Sequence, residues 1–300
     1  MTTTKIHQNL LAQLDKLFRH NRQGSYKTRE RYRESMMRFC AFLAREYRLE
    51  RLANIAPKHL TAYVSHMQDR GLAASTIKTD LAAIRFWHDQ MPRPRHKLPD
   101  NSQLDLARRT FGQVDRRWSE VEFHRFIGIC WRHQRKDYAA IACLARHAGL
   151  RIHECFRLDT AAARQAIQLT SLTVKGKGGK LRTVPINDTI RIELEKLLAT
   201  VPRGYKLFVP EGIPTDRAIE ALQRFILVHR SAFQSPETQT SLTFHGLRHT
   251  YAAEQYLLCR QRGLSDMDAC RTVSRLLGHE RPDVTRIYLA GLDGEGHRPE

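Results

Sequence analysis

At 300 residues the chain has room for two domains of ordinary size, each with its own core. Its 50 Lys and Arg against 31 Asp and Glu leave a formal charge of +19, an excess that folding does not require and that calls for a polyanionic partner, nucleic acid or an acidic membrane surface. No stretch approaches the roughly 18 apolar residues of a membrane span, MTTTKIHQNL lacks the apolar core of a secretory signal, and six scattered cysteines without a CxxC read as reduced core thiols, so a cytoplasmic protein is expected.

The charge is uneven. Residues 1–118 hold 23 Lys and Arg against 11 Asp and Glu, net +12, and the remaining 182 residues hold 27 against 20, net +7. Residues 1–24 are polar with a weak helical pattern (Leu10, Leu14, Leu17) and read as an arm. From Thr28, Tyr32, Met36, Phe39, Leu43 and Tyr47 recur at helical spacing, with Arg29, Arg33, Arg38 and Arg45 opposite. A second helix opens at Pro57, carries Leu60, Val64 and Met67, and stops at Gly71. Ser75 is expected to cap a third, with Ile77, Leu81, Ile84 and Trp87 on one side and Lys78 and Arg85 on the other. Residues 1–90 thus read as a basic helical domain, and Arg29, Arg33, Lys78 and Arg85 as its candidate DNA contacts.

Pro92, Pro94 and Pro99 then break the pattern, and residues 91–118 read as a basic, semi-extended linker. A second domain, 119–300, opens with the capping box Ser119-Glu-Val-Glu122. A helix from Asp137 ends at Gly149 in RHAGLRIHE. In AIQLTSLTVKGKGGKLRTVPI (166–186) the period switches to two: Leu169, Leu172 and Val174 lead into GKGGK, and Leu181, Val184 and Ile186 lead out, as a β-hairpin with a flexible, lysine-bearing tip. The tip lacks the GxxxxGK[ST] spacing of a phosphate loop. Helices at about 188–199, 215–232, 247–261 and 266–277 follow, with Asn187 and Ser265 as caps. The fold class is therefore mainly α with a small antiparallel β-hairpin in the second domain.

The chemistry gathers in HGLRHT (245–250), LLGHE and the tyrosine of TRIYL. His245 and Arg248 share one helical turn, and His279 and Tyr288 follow across a Pro-Asp break; Arg151 and Lys177 precede them. Two guanidiniums can clamp the non-bridging oxygens of a phosphodiester and offset charge at a five-coordinate phosphorus. A tyrosine hydroxyl needs a base or a strongly cationic pocket before it attacks, and His245 could supply the base. The leaving alkoxide needs a proton, which a tip lysine can deliver. A two-metal nuclease would need an acidic cluster, and none has suitable spacing; His153-x-Cys155 is too short for a zinc half-site. Neither a metal nor a cofactor is expected.

The order Arg…Lys…His-x-x-Arg…His…Tyr, carried in AGLRIHE, VKGKGGKLRTVPI, HGLRHTYA, LLGHE and TRIYL, resembles the tyrosine recombinase (phage integrase) family over about 119–290, and the basic helical domain resembles the family's core-binding domain. The resemblance implies a site-specific DNA recombinase. Tyr288 would attack the scissile phosphate to form a 3′-phosphotyrosyl link. Arg151 and Arg248 would clamp the phosphate, His245 would handle the tyrosine proton, Lys177 (with Lys175 and Lys180 as substitutes) would protonate the leaving oxygen, His279 would bond the phosphate, and Glu154 would fill the supporting acidic position. It further implies double-stranded DNA with inverted-repeat core sites, a homotetramer acting on two duplexes, and an accessory DNA-bending protein. The 31 residues from Arg248 to His279 exceed the spacing of the simplest Xer-like members, and the tail LAGLDGEGHRPE is short for a helix swapped between protomers; these departures favour a mobile-element integrase. The alternatives are a type IB topoisomerase-like enzyme and a DNA-binding protein of the same fold without catalysis.

Overall fold

The computed structural model describes residues 1–21, 23–24, 26–107, 114–176, 179–279 and 282–292, and the chain divides into two compact units, Met1–Thr110 and Phe111–Glu300. Among the described residues the first contains four α-helices: α1 (Thr3–His20), α2 (Tyr26–Phe42), α3 (Pro57–Asp69) and α4 (Ala74–Asp89). The segment expected as an arm is instead α1. Thr2 caps it by accepting from the Lys5 amide at 3.4 Å, and Ile6, Leu10 and Leu14, each four apart, join Met36, Phe39, Leu81 and Trp87 in one core. Three apolar positions in a polar segment suffice because each is completely buried. α2 ends in a π-helical turn, Leu43–Tyr47, closed by left-handed Arg48, and α4 begins slightly earlier than expected, with Ala73 rather than Ser75 at its N-cap.

The proline-containing stretch packs on this unit: Met91 and Leu104 are buried in its core, with Leu98 and Leu106 against it. The four candidate DNA contacts all have protein partners. Arg29 donates to the Asn21 carbonyl at 2.8 Å and Arg33 pairs with Asp15 at 2.6 Å. Lys78 donates to the Ala107 carbonyl at 2.8 Å, and Arg85 to the Pro99 carbonyl at 2.7 Å and Asn101 at 2.9 Å.

The second unit comprises α5 (Glu120–Arg132), α6 (Lys136–Ala148), α7 (Ile152–Cys155), α8 (Thr160–Leu169), the hairpin β1 (Ser171–Lys175) and β2 (Leu181–Pro185), then α9 (Asp188–Thr200), α10 (Thr215–Phe233), α11 (Phe244–Gln261), α12 (Asp266–Leu277), α13 (Pro282–Arg286) and a 3₁₀ turn, Ile287–Leu289. The strands pair antiparallel with Leu172 opposite Val184 and Val174 opposite Arg182. The hairpin is shorter than its alternating pattern suggested. Leu169 belongs to α8, which Asp159 caps, and is exposed; left-handed Thr170 separates helix from strand. Capping by Ser119 with Glu122, by Asn187 and by Ser265 follows the sequence reading.

α11 is the axis of this unit. From Phe244 to Ala253 all residues except His245 are buried, as expected of a helix enclosed on every side. Its first turn is fixed by Trp118. The indole stacks on Phe233 at 4.8 Å and donates to the Thr243 carbonyl at 2.9 Å, while the Trp118 amide donates to Thr250 Oγ1 at 2.9 Å. A Cβ on Gly246 would lie 2.6 Å from the Trp118 ring, so this close approach requires glycine between His245 and Leu247.

Candidate active site

Five of the six residues singled out by the sequence meet at the N-terminal end of α11. The sixth, Lys177, lies outside the described residues, as does the tail beyond Leu292. Among its named substitutes, Lys175 ends β1 at the base of the tip, where the Gly176 amide donates to the Lys180 carbonyl at 2.7 Å.

Arg248 is the innermost member. It has no solvent exposure, donates to the Gly149 carbonyl at the end of α6, and reaches the Leu277 carbonyl at the end of α12 at 2.5 Å. Burial, with the charge of Arg151 beside it, pushes its guanidinium down to about 10, so it stays cationic at neutral pH. Glu154 is equally enclosed. Its carboxylate accepts from the Arg151 amide at 2.8 Å and from the Arg151 guanidinium at 2.9 Å. Arg182 on β2 completes the set with two bonds to the same carboxylate, at 2.6 and 2.7 Å. Burial works to raise this carboxyl, but the bonds and charge of Arg182, with those of Arg151, outweigh it and hold Glu154 at about 2.

Tyr288 sits on the 3₁₀ turn after α13 and is 8% exposed. Its hydroxyl is 3.1 Å from His245 Nε2. Its ring stacks on His249 with centroids 4.3 Å apart and lies 4.9 Å from His279. Partial burial and the charges of Arg248, Arg151 and Arg116 push His245 down to about 4. At neutral pH it is an uncharged imidazole in reach of the phenol, the state a general base needs. His279 is pushed down to about 3 by burial and by Arg248, Arg151 and Arg182. Arg248 can only donate, so the His279 Nε2 facing it at 3.4 Å is the lone-pair nitrogen, and Nδ1–H donates to Thr285 Oγ1 at 3.1 Å.

The site therefore has two layers. His245 stays open to solvent and Arg151 and His279 are half-buried, while Arg248, Glu154, His249 and Tyr288 lie beneath. Among the described residues, one carboxylate, Glu154, stands among the guanidiniums of Arg151, Arg182 and Arg248, an excess of positive charge suited to a phosphodiester. Among the described residues, no group of three or more His, Cys, Asp or Glu is placed to hold a metal ion, and no helix is long and apolar enough to cross a membrane.

Sequence reasoning missed Arg182 and His249. Strand alternation held the signal for Arg182, since it shares a face with buried Val184. His249 had no such mark, because its burial comes from α11 being enclosed all round.

These histidines give the unit an acid limit. Burial, then His245 and Arg116, push His249 down to about 3. A native pKa below the unfolded value of about 6.5 means that stability is complete above pH 6.5 and is lost as pH falls toward 3. At about 1.4 kcal/mol per pH unit the loss reaches a few kcal/mol. Urea unfolding at pH 7.5 and pH 5 should show it, and His249→Phe, which keeps the stack on Tyr288, should flatten the difference. An unchanged pH dependence in that variant would remove His249 from this account.

The chain is similar to known proteins over most of its length. Residues 117–295 match the phage integrase family, and residues 11–90 match its N-terminal SAM-like domain. The chain is 28% identical over 291 residues to the tyrosine recombinase XerC of Methylobacterium sp. (strain 4-46), covering 91% of this chain and 85% of that protein. It is 27% identical over 243 residues to the tyrosine recombinase XerD of Caulobacter vibrioides (strain ATCC 19089 / CIP 103742 / CB 15), covering 76% and 75%. Among solved structures, a lambda integrase (75-356) dimer bound to a COC′ core site superposes with a TM-score of 0.66 at 18% identity, covering 96% of this chain and 97% of that one. XerH bound to palindromic difH after cleavage gives 0.59 at 18%, covering 93% and 80%.

Proposed function

This chain belongs to the phage integrase family, enzymes that cut and rejoin DNA, and we propose that it performs site-specific recombination (integration and excision, or resolution) with Tyr288 as nucleophile. The phenolic oxygen attacks the scissile phosphorus, the bond to the 5′ oxygen breaks, and a 3′-phosphotyrosyl link forms. His245 takes the phenolic proton. Arg151 and Arg248 offset the charge on the non-bridging oxygens, His279 bonds one of them, and Lys177 returns a proton to the 5′ oxygen. The new link conserves the energy of the broken diester, so rejoining by a 5′ hydroxyl is the same step reversed.

The observation that carries this reading is the 3.1 Å contact of the Tyr288 hydroxyl with the uncharged His245, above a buried Arg248. In this reading a phosphate reaches Arg248 only after the Tyr288 ring moves. The partner is double-stranded DNA with inverted-repeat core sites, engaged by four protomers on two duplexes with an accessory DNA-bending protein. Arg29, Arg33, Lys78 and Arg85 contact its backbone by exchanging their protein acceptors for phosphate oxygens, so binding weakens steeply with salt.

The test is a nicked suicide duplex taken from the DNA flanking the gene, incubated with the protein in EDTA and quenched in SDS. The expected product is a covalent adduct whose peptide map places DNA on Tyr288 with a free 5′ hydroxyl on the other strand. An adduct on another residue, or a 5′-linked one, would overturn the assignment. Supercoil relaxation by one protomer without strand exchange would instead identify a topoisomerase.

A further inference from the structure

The catalytic scheme gives no role to Arg182, although its guanidinium is buried and fully engaged with its neighbours. It extends from β2 with its side chain 8% exposed and uses three donors on two elements: two on the carboxylate oxygens of Glu154 and Nε on the Leu276 carbonyl at 3.0 Å. Arg248 takes the next carbonyl, Leu277. Two guanidiniums thus cap successive carbonyls at the negative end of α12, from which the chain turns through Gly278 to His279. A Cβ at Gly278 would lie 2.9 Å from Arg182 Cδ, so the turn is moulded on the arginine stem. On its other side the Glu154–Arg182 pair lies against the hairpin tip, where a Cβ on Gly176 would be 3.6 Å from Glu154 Oε1 and 3.8 Å from an Arg182 nitrogen.

We propose that Arg182 is a positioning residue that joins the hairpin, Glu154 and the end of α12 in one frame, and so sets Arg151 and His279 against the scissile phosphate. The inference rests on the recombinase reading above. Glu154 orients Arg151 through two bonds, and Arg182 is the only other residue with a side-chain bond to that carboxylate among the described residues. Without it, Glu154 can turn toward Arg248, whose guanidinium is 4.0 Å away, and carry Arg151 with it. A lysine cannot replace the fork, because one ammonium does not reach both carboxylate oxygens and the Leu276 carbonyl in fixed directions.

The experiment measures single-turnover adduct formation on the nicked flanking duplex for wild type, Arg182→Gln and Arg182→Lys, with melting temperature and DNA affinity in parallel. Arg182→Gln should slow adduct formation on the order of 100-fold, the cost of misplacing a group by about 1 Å, with DNA affinity unchanged. Arg182→Lys should be about tenfold slower than wild type and melt only a few degrees lower, since it keeps the charge and part of the bonding; it carries the comparison if Arg182→Gln does not fold. A second substrate has a methyl group in place of one non-bridging oxygen, which removes the charge that Arg151 offsets. On it the gap between wild type and variant should shrink to a few-fold. An equal loss on both substrates would make Arg182 a structural residue only, and wild-type rates in a folded variant would overturn the proposal outright. No adduct from wild type would overturn the recombinase reading itself, and this inference with it.

Discussion

Tyr288→Phe should abolish the covalent adduct while leaving a folded, DNA-binding protein. The hydroxyl is the attacking group, and phenylalanine offers no oxygen in its place. Loss of a nucleophile from a comparable acyl-transfer site costs on the order of a millionfold in kcat, so cleavage should fall below detection. Stability should hardly change. The ring keeps its stack on His249 and its contact with His279, and only the 3.1 Å bond to His245 is lost, worth about 1 kcal/mol net. For a unit of this size that is about 2–4 °C in melting temperature. SDS gels, calorimetry and binding on the same DNA check all three. A melting temperature lowered by about 10 °C would mean that the hydroxyl supports the fold.

Arg248→Ala should fail in both respects. Its guanidinium is completely buried and holds the Gly149 and Leu277 carbonyls at the ends of α6 and α12. Truncation leaves a cavity and two carbonyls without these donors, and removes a cation beside Glu154. The expected cost is about 3–5 kcal/mol, or roughly 10 °C in melting temperature. Cleavage should fall by about 10³-fold or more from the lost phosphate clamp alone. Calorimetry of wild type, Arg248→Ala and Arg248→Lys separates the two effects. The lysine variant should recover part of the stability, because it restores one donor and the charge, and little of the rate. An alanine variant that melts with wild type would remove the carbonyl bonds from the stability argument.

The two kinds of site residue were unequally legible in the sequence. His245, Arg248, His279 and Tyr288 stand in short motifs whose joint occurrence, in order after Arg151 and Lys177, points to phosphate chemistry. Arg182 and His249 act through burial, and burial is a property of the packed unit. A strand register had to exist before Arg182 could be seen facing inward beside Val184, and α11 had to be enclosed before His249 could be placed under Tyr288. The same limit explains the fold-level misses. α1 is held by Ile6, Leu10 and Leu14 sinking into a core made by α2 and α4, which a polar segment does not announce. The end of α8 looks like part of the hairpin in sequence because Leu169, Leu172 and Val174 are spaced like strand residues, and only the left-handed turn at Thr170 separates the two elements.

The double duty of Arg248 and Glu154 also bears on how such a gene would decay. Both residues anchor helix ends and charges that the folded unit cannot do without, whereas the phenolic oxygen of Tyr288 holds one histidine. A copy released from selection for recombination, but retained to occupy its DNA, would lose that oxygen first and keep Arg248 and Glu154 longer. Among divergent copies of this protein Arg248 and Glu154 therefore report a sound fold, and the tyrosine reports a working enzyme.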